Sequence, residues 1–69
     1  MNTNIFGTRL QELLTEHNWT HLGFATKLKT TQSTVSRWCS GKQEPDFDTL
    51  VLIASELNVS LDWLLGKID

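Results

Sequence analysis

Between Thr20 and Ser40 the chain carries two short amphipathic segments separated by only three residues, Lys29, Thr30 and Thr31. That spacing constrains the fold more than any other feature. Thr20 and Thr31 each stand where an N-cap belongs, because a threonine hydroxyl can accept from the otherwise unpaired amides of a first helical turn. Trp19 and Phe24 bracket the first cap with the N′/N4 spacing of a hydrophobic staple. The pattern predicts helices over His21–Leu28 and Gln32–Ser40. Two short helices joined by three residues cannot lie antiparallel in comfort, so they are expected to cross steeply.

The flanking sequence reads in the same way. Phe6, Leu10, Leu13, Leu14 and His17 fall at i, i+4, i+7, i+8 and i+11, one face of a helix capped by Thr3 or Asn4. Asn18 sits where a left-handed residue would close it. Gly41 ends the Gln32–Ser40 segment, and Pro45 ends the loop that follows. Asp46 caps a fourth helix with a core face of Leu50, Ile53, Ala54 and Leu57, and Asp46 and Asp48 complement the positive end of its dipole. Ser60 caps a last short helix, stapled by Val59 and Leu64 and stopped by Gly66. Five caps agree with five apolar stripes, and the steep pair in the middle is a helix-turn-helix unit.

At 69 residues the chain is one domain, read as residues 1–69, too small to enclose a substrate pocket with ease. No apolar run approaches a membrane span and no secretory leader is recognisable, so a cytoplasmic protein without membrane contact is expected. The lone Cys39 can form neither an internal disulfide nor a cysteine-based zinc site. His17 and His21 straddle a helix break, and no metal-ligand spacing, glycine-rich phosphate loop or nucleophile elbow occurs. Neither enzyme, metal nor cofactor is expected.

The net charge of −2 does not by itself favour a polyanion, but its distribution does. From His17 through Gln43 there is no Asp or Glu, and Lys27, Lys29, Arg37 and Lys42 make that segment +4. Outside it, Arg9 and Lys67 face eight carboxylates, a balance of −6. The basic centre suits a polyanion, although four cations can also cluster by chance.

On a helical wheel Thr34, Val35 and Trp38 gather on one side of the Gln32–Ser40 helix. Gln32, Ser33, Ser36, Arg37 and Ser40 gather on the other, with Cys39 at the border. The outer face has no carboxylate and little bulk, which suits a DNA major groove. Gln can pair with adenine N6 and N7, Arg with guanine O6 and N7, and Ser with either kind of edge. A solvated polar face is the simpler reading of the same pattern.

The run Ala25-Thr-Lys-Leu28, three turn residues, Gln32-Ser-Thr-Val35-Ser-Arg-Trp38, then Gly41-Lys and Pro45, resembles the phage repressor/Cro family of helix-turn-helix proteins. The tail Leu57-Asn-Val-Ser-Leu-Asp-Trp-Leu-Leu-Gly66 is similar to that family's last helix, and Phe6-Gly7 with Arg9-Leu10 to its first. The resemblance implies an all-α fold, a compact five-helix lambda-repressor-like bundle. It implies sequence-specific binding to a double-stranded DNA operator, with Ala25 at the helix crossing and Val35 and Trp38 in the core. Gln32, Ser33, Thr34 and Arg37 match base-contacting positions, Thr34 ambiguously because its wheel direction is inward; Ser36 joins them from the wheel. Thr20, Thr31, Ser40 and Lys42 match phosphate-binding positions.

Three positions depart from the family pattern. Lys29 replaces the usual turn glycine, at a cost of order 1 kcal/mol if φ stays positive, while adding a cation beside the DNA backbone. His21 replaces a Gln that braces the recognition-helix Gln and touches phosphate, and is expected to do both, binding phosphate more tightly when protonated. Leu14 and Cys39 replace an Arg–Glu pair together, an exchange that argues the two sites touch. Because the loop after Gly41 is acidic, single-domain affinity is expected to be weak, with a homodimer on a two-fold operator making good the deficit. Leu61, Leu65 and Ile68 form the candidate dimer surface, with Val51 and Leu52 as further candidates; these residues could equally finish the core. The leading expectation is a transcriptional repressor. The alternative is a protein-interaction module, an antitoxin or antagonist subunit with a regulatory protein partner.

Overall fold

Asn4, Thr20, Thr31, Asp46 and Ser60 each turn a side-chain oxygen onto a first-turn amide, and a helix follows each of them. The computed structural model describes residues 4–67. The helices are α1 (Ile5–Glu16), α2 (His21–Lys27), α3 (Gln32–Ser40), α4 (Phe47–Leu57) and α5 (Leu61–Leu64), and no strand occurs among the described residues. Of the two caps proposed for α1, Asn4 is the one used; Thr3 lies outside the described residues. The acceptor for the first turn of α4 is Asp46, whose carboxyl is lowered by its hydrogen bonds to Thr49.

The ends are set by backbone chirality. Asn18, Lys29 and Asn58 adopt φ of 61°, 61° and 58°, and Gly41 φ of 83°, each reversing the chain after a helix. Only Gly escapes the Cβ penalty there, and Asn tolerates it better than most residues. α2 stops at Lys27 rather than Leu28, which becomes its C-cap, because the left-handed Lys29 already turns the chain. Thr30 then donates its N–H to Ala25 O at 2.8 Å, closing the turn.

One core joins all five helices: Leu10, Leu13 and Leu14 of α1, Phe24 and Ala25 of α2, Val35 and Trp38 of α3, Ile53, Ala54 and Leu57 of α4, and Leu64 of α5. Burying each large aliphatic or aromatic side chain contributes about 1.5–3 kcal/mol. Trp19 meets Phe24 edge to face at 5.8 Å, the staple expected at the start of α2. Leu14 is fully buried, and Cys39 is partly buried against the same core cluster. Two stripe assignments need correction. His17 is exposed, since α1 has ended at Glu16 and the chain is already turning; Leu50 is only half-buried.

The N-terminus of α1 is latched to the C-terminus of α3. Asn4 Nδ2 donates to Cys39 O at 3.0 Å while its Oδ1 accepts from Gly7 N. Gly7 permits this approach, since a Cβ there would lie 2.6 Å from the Cys39 carbonyl oxygen. At the far end, Arg9 stacks its guanidinium 4.5 Å from the centre of the Trp63 ring and donates to the Trp63 carbonyl, tying α5 to α1.

Candidate nucleic-acid interface

With Val35 and Trp38 anchored inward, α3 presents Gln32, Ser33, Arg37 and Ser40 to solvent. Thr34 lies at the edge of this face, half-buried, which accounts for its ambiguous position on the wheel. Its Oγ1 approaches Thr31 Oγ1 at 2.9 Å and accepts from Arg37 Nη2 at 3.3 Å. Arg37 also donates Nε–H to Gln43 Oε1 at 2.8 Å. Two neighbours therefore restrain the guanidinium, with its other N–H donors directed to neither of them. Gln43 can reach back because Gly41 reverses the chain, and Lys42 N and Gln43 N both donate to Arg37 O.

The groups expected at phosphates ring this face. Thr20 and Thr31 use their hydroxyls as caps, accepting from Gly23 N at 2.9 Å and Thr34 N at 3.2 Å, yet both remain exposed. Ser40 donates to Arg37 O at 3.2 Å. Lys29 is exposed in the turn between α2 and α3, and Lys42 is exposed just beyond the end of α3. Lys27 is not available in the same sense, since its ammonium lies 3.8 Å from Glu56 on α4. The basic centre counted along the sequence thus loses one cation to the acidic flank.

His21 departs from its expected partner. Its ring bridges Ser36 Oγ, 2.8 Å from Nδ1, and Gln11 Oε1, 2.6 Å from Nε2; Gln32 is not the residue it braces. Ser36 is correspondingly half-buried in the seam between α2 and α3. Gln11 in turn donates Nε2–H to Thr15 Oγ1 at 3.1 Å. Gln11 and Gln43 are the two site residues that sequence reasoning missed. Gln11 leaves no local signal; Gln43 could have been found from the reversal that Gly41 imposes after Arg37.

Among the described residues no group of His, Cys, Asp or Glu could hold a metal ion, and no helix is long and apolar enough to cross a membrane. Burial pushes the Cys39 thiol up to about 11, which disfavours its thiolate at neutral pH. Of the candidate dimer residues, Leu61 is half-buried against the core, Leu65 is exposed, and Ile68 lies outside the described residues. Val51 and Leu52 are exposed on α4, as is Phe47 at 67%.

A five-helix bundle that displays a carboxylate-free polar helix after the four-residue connection Leu28–Thr31 defines a helix-turn-helix unit. Residues 10–64 match the helix-turn-helix family, and the chain belongs to that family, in its Cro/C1-type branch. It is 36% identical over 61 residues to the HTH-type transcriptional regulator ImmR of Bacillus subtilis, covering 88% of this chain and 48% of that one. It is 35% identical over 61 residues to the HTH-type transcriptional activator BcrR of Enterococcus faecalis, covering 88% of this chain and 30% of the activator. The chain thus spans about a third to a half of the length of these relatives. The P22 c2 repressor, solved in complex with a synthetic operator, superposes with a TM-score of 0.85 at 20% identity, over 93% of this chain and 97% of the repressor chain. That likeness establishes the lambda-repressor-like fold.

Proposed function

We propose that this chain binds double-stranded DNA sequence-specifically through the major groove and acts in transcription regulation, as a repressor-type module working as a dimer on a two-fold operator. The observation that carries the reading is the outer face of α3. Gln32, Ser33 and Arg37 are exposed on a helix whose other side is locked into the core, and Arg37 is held in place before any ligand arrives. Such side chains read base edges, while Thr20, Thr31, Ser40, Lys29 and Lys42 around them reach phosphates and set the register. Family membership and the regulator relatives support the same reading, and the repressor was solved on an operator.

Dimerisation is part of the proposal because so few cations flank the reading face. Two modest half-sites one helical turn apart add their contacts. The surface we assign to it is that of Leu61, Leu65 and Ile68, of which Leu65 is exposed beside Ile5 at the α5 end and Leu61 is half-buried. A role in protein interaction is favoured by a different observation, the exposure of Phe47 and Val51 one turn apart on α4.

Selection of bound duplexes from a random library, followed by titration at two salt concentrations, tests the proposal. Arg37→Ala should relax base preference at one position by roughly 1–3 kcal/mol, whereas Lys42→Ala should weaken all sequences alike. Equal affinity for every duplex, or none, would overturn it. A two-fold consensus would support the dimer, and a single half-site would remove it.

A further inference from the structure

Gln11, His21 and Ser36 form a hydrogen-bonded relay across α1, α2 and α3 that ends at the reading face. The donor and acceptor roles along it follow from chemistry. Gln11 turns its carbonyl oxygen to His21 Nε2, with the amide nitrogen engaged at Thr15 Oγ1. A carbonyl oxygen can only accept, so Nε2 carries the proton. A neutral imidazole then has a bare Nδ1, which must accept the proton of the Ser36 hydroxyl. The remaining capacity of Ser36 Oγ is its lone pairs.

We infer that Gln11 is a positioning residue for DNA specificity: through the His21 tautomer it makes Ser36 an acceptor-only group towards the groove. A free serine hydroxyl rotates to suit either kind of base edge and discriminates little. Fixed by the relay, Ser36 favours the amino groups of adenine N6 and cytosine N4 and disfavours guanine O6 or N7 and thymine O4. Gln11 itself need touch no DNA. This inference rests on the proposed reading of DNA by α3.

The test uses the 69-residue chain and two substitutions at the exposed Gln11. Gln11→Met keeps the length and removes the acceptor; Gln11→Lys puts a donor against Nε2 and should drive the proton to Nδ1. Long-range proton–nitrogen NMR of His21 in the free protein reads the tautomer without DNA. Wild type should show Nε2–H, Gln11→Met a mixture and Gln11→Lys mainly Nδ1–H. In duplexes varied at the base pair opposite Ser36, wild type should prefer A or C by roughly three- to tenfold, the worth of one hydrogen bond. Gln11→Met should lose that preference and Gln11→Lys should move it towards G or T, while preferences set by Arg37 stay in place. A wild-type ring protonated at Nδ1, or a base preference that ignores all substitution at Gln11, overturns the relay. Absence of any sequence-selective binding by wild type overturns the DNA reading instead, and with it the role in specificity, while the tautomer spectrum still reports on the relay.

Discussion

Replacing Lys29 by glycine should raise stability and lower DNA affinity in one step. Lys29 is held at φ 61° in the turn between α2 and α3, with its N–H bonded to Thr26 O and the next amide bonded to Ala25 O. A Cβ in the left-handed region costs about 1–2 kcal/mol. Glycine removes that cost but gains about 0.5–1 kcal/mol of freedom in the unfolded chain. The difference predicts a net stabilisation of about 0.5–1 kcal/mol. For a domain of this size that is a rise in Tm of roughly 2–8 °C. Thermal unfolding followed by circular dichroism measures it. The same change deletes an exposed cation, so the slope of log K against log salt should fall by about 0.9 if Lys29 meets a phosphate. Lys29→Asn separates the two effects, because asparagine, as at Asn18 and Asn58, tolerates the backbone but carries no charge. A Tm lowered by Lys29→Gly would refute the argument from strain. An unchanged salt slope in both variants would refute the phosphate contact.

Gly7→Ala should destabilise the protein by roughly 1–3 kcal/mol, because the new methyl meets the Cys39 carbonyl oxygen at 2.6 Å and backbone must move; urea unfolding measures this. Gln43→Ala should leave the fold intact but release the Arg37 side chain, weakening selective binding several-fold while non-selective binding at low salt stays constant. Cys39 contributes a pH dependence of defined sign. Its folded pKa is raised from 9.0 to about 11, so the stability it contributes is complete below pH 9 and is lost as pH rises towards 11. Cys39→Ala should therefore lose less stability than wild type across that interval in alkaline urea titrations.

The features that came directly from the sequence are those whose causes are local. A threonine before a helix and an amide three residues on are neighbours whatever the rest of the chain does, and all five helices begin where such residues predicted. Asn18 was readable for the same reason, since a residue closing a helix commonly takes positive φ, whereas the left-handed turn at Lys29 was implied only by the resemblance, whose turn glycine it replaces. His17 shows where periodicity alone fails: it keeps the angular position of the α1 stripe, but the helix ends before reaching it. The site was legible as a face and not as a network. Exposure of Gln32, Ser33 and Arg37 follows from the inward pull of Val35 and Trp38. By contrast, Gln11 meets His21 only through the packing of α1 beside α2, which no spacing in the sequence encodes.

Trp38 gives the molecule a built-in optical reporter. Its indole sits at the back of α3 among apolar side chains, and its Nε1–H is buried with no hydrogen-bond partner. An indole in such surroundings emits at the blue end of its range and moves to the red once water reaches it. Trp19 and Trp63 are only half-buried and can be replaced by phenylalanine to leave Trp38 as the single fluorophore. Its emission would then register when the α3 backing separates from the rest of the bundle, on the same side chain that holds the outer face towards solvent.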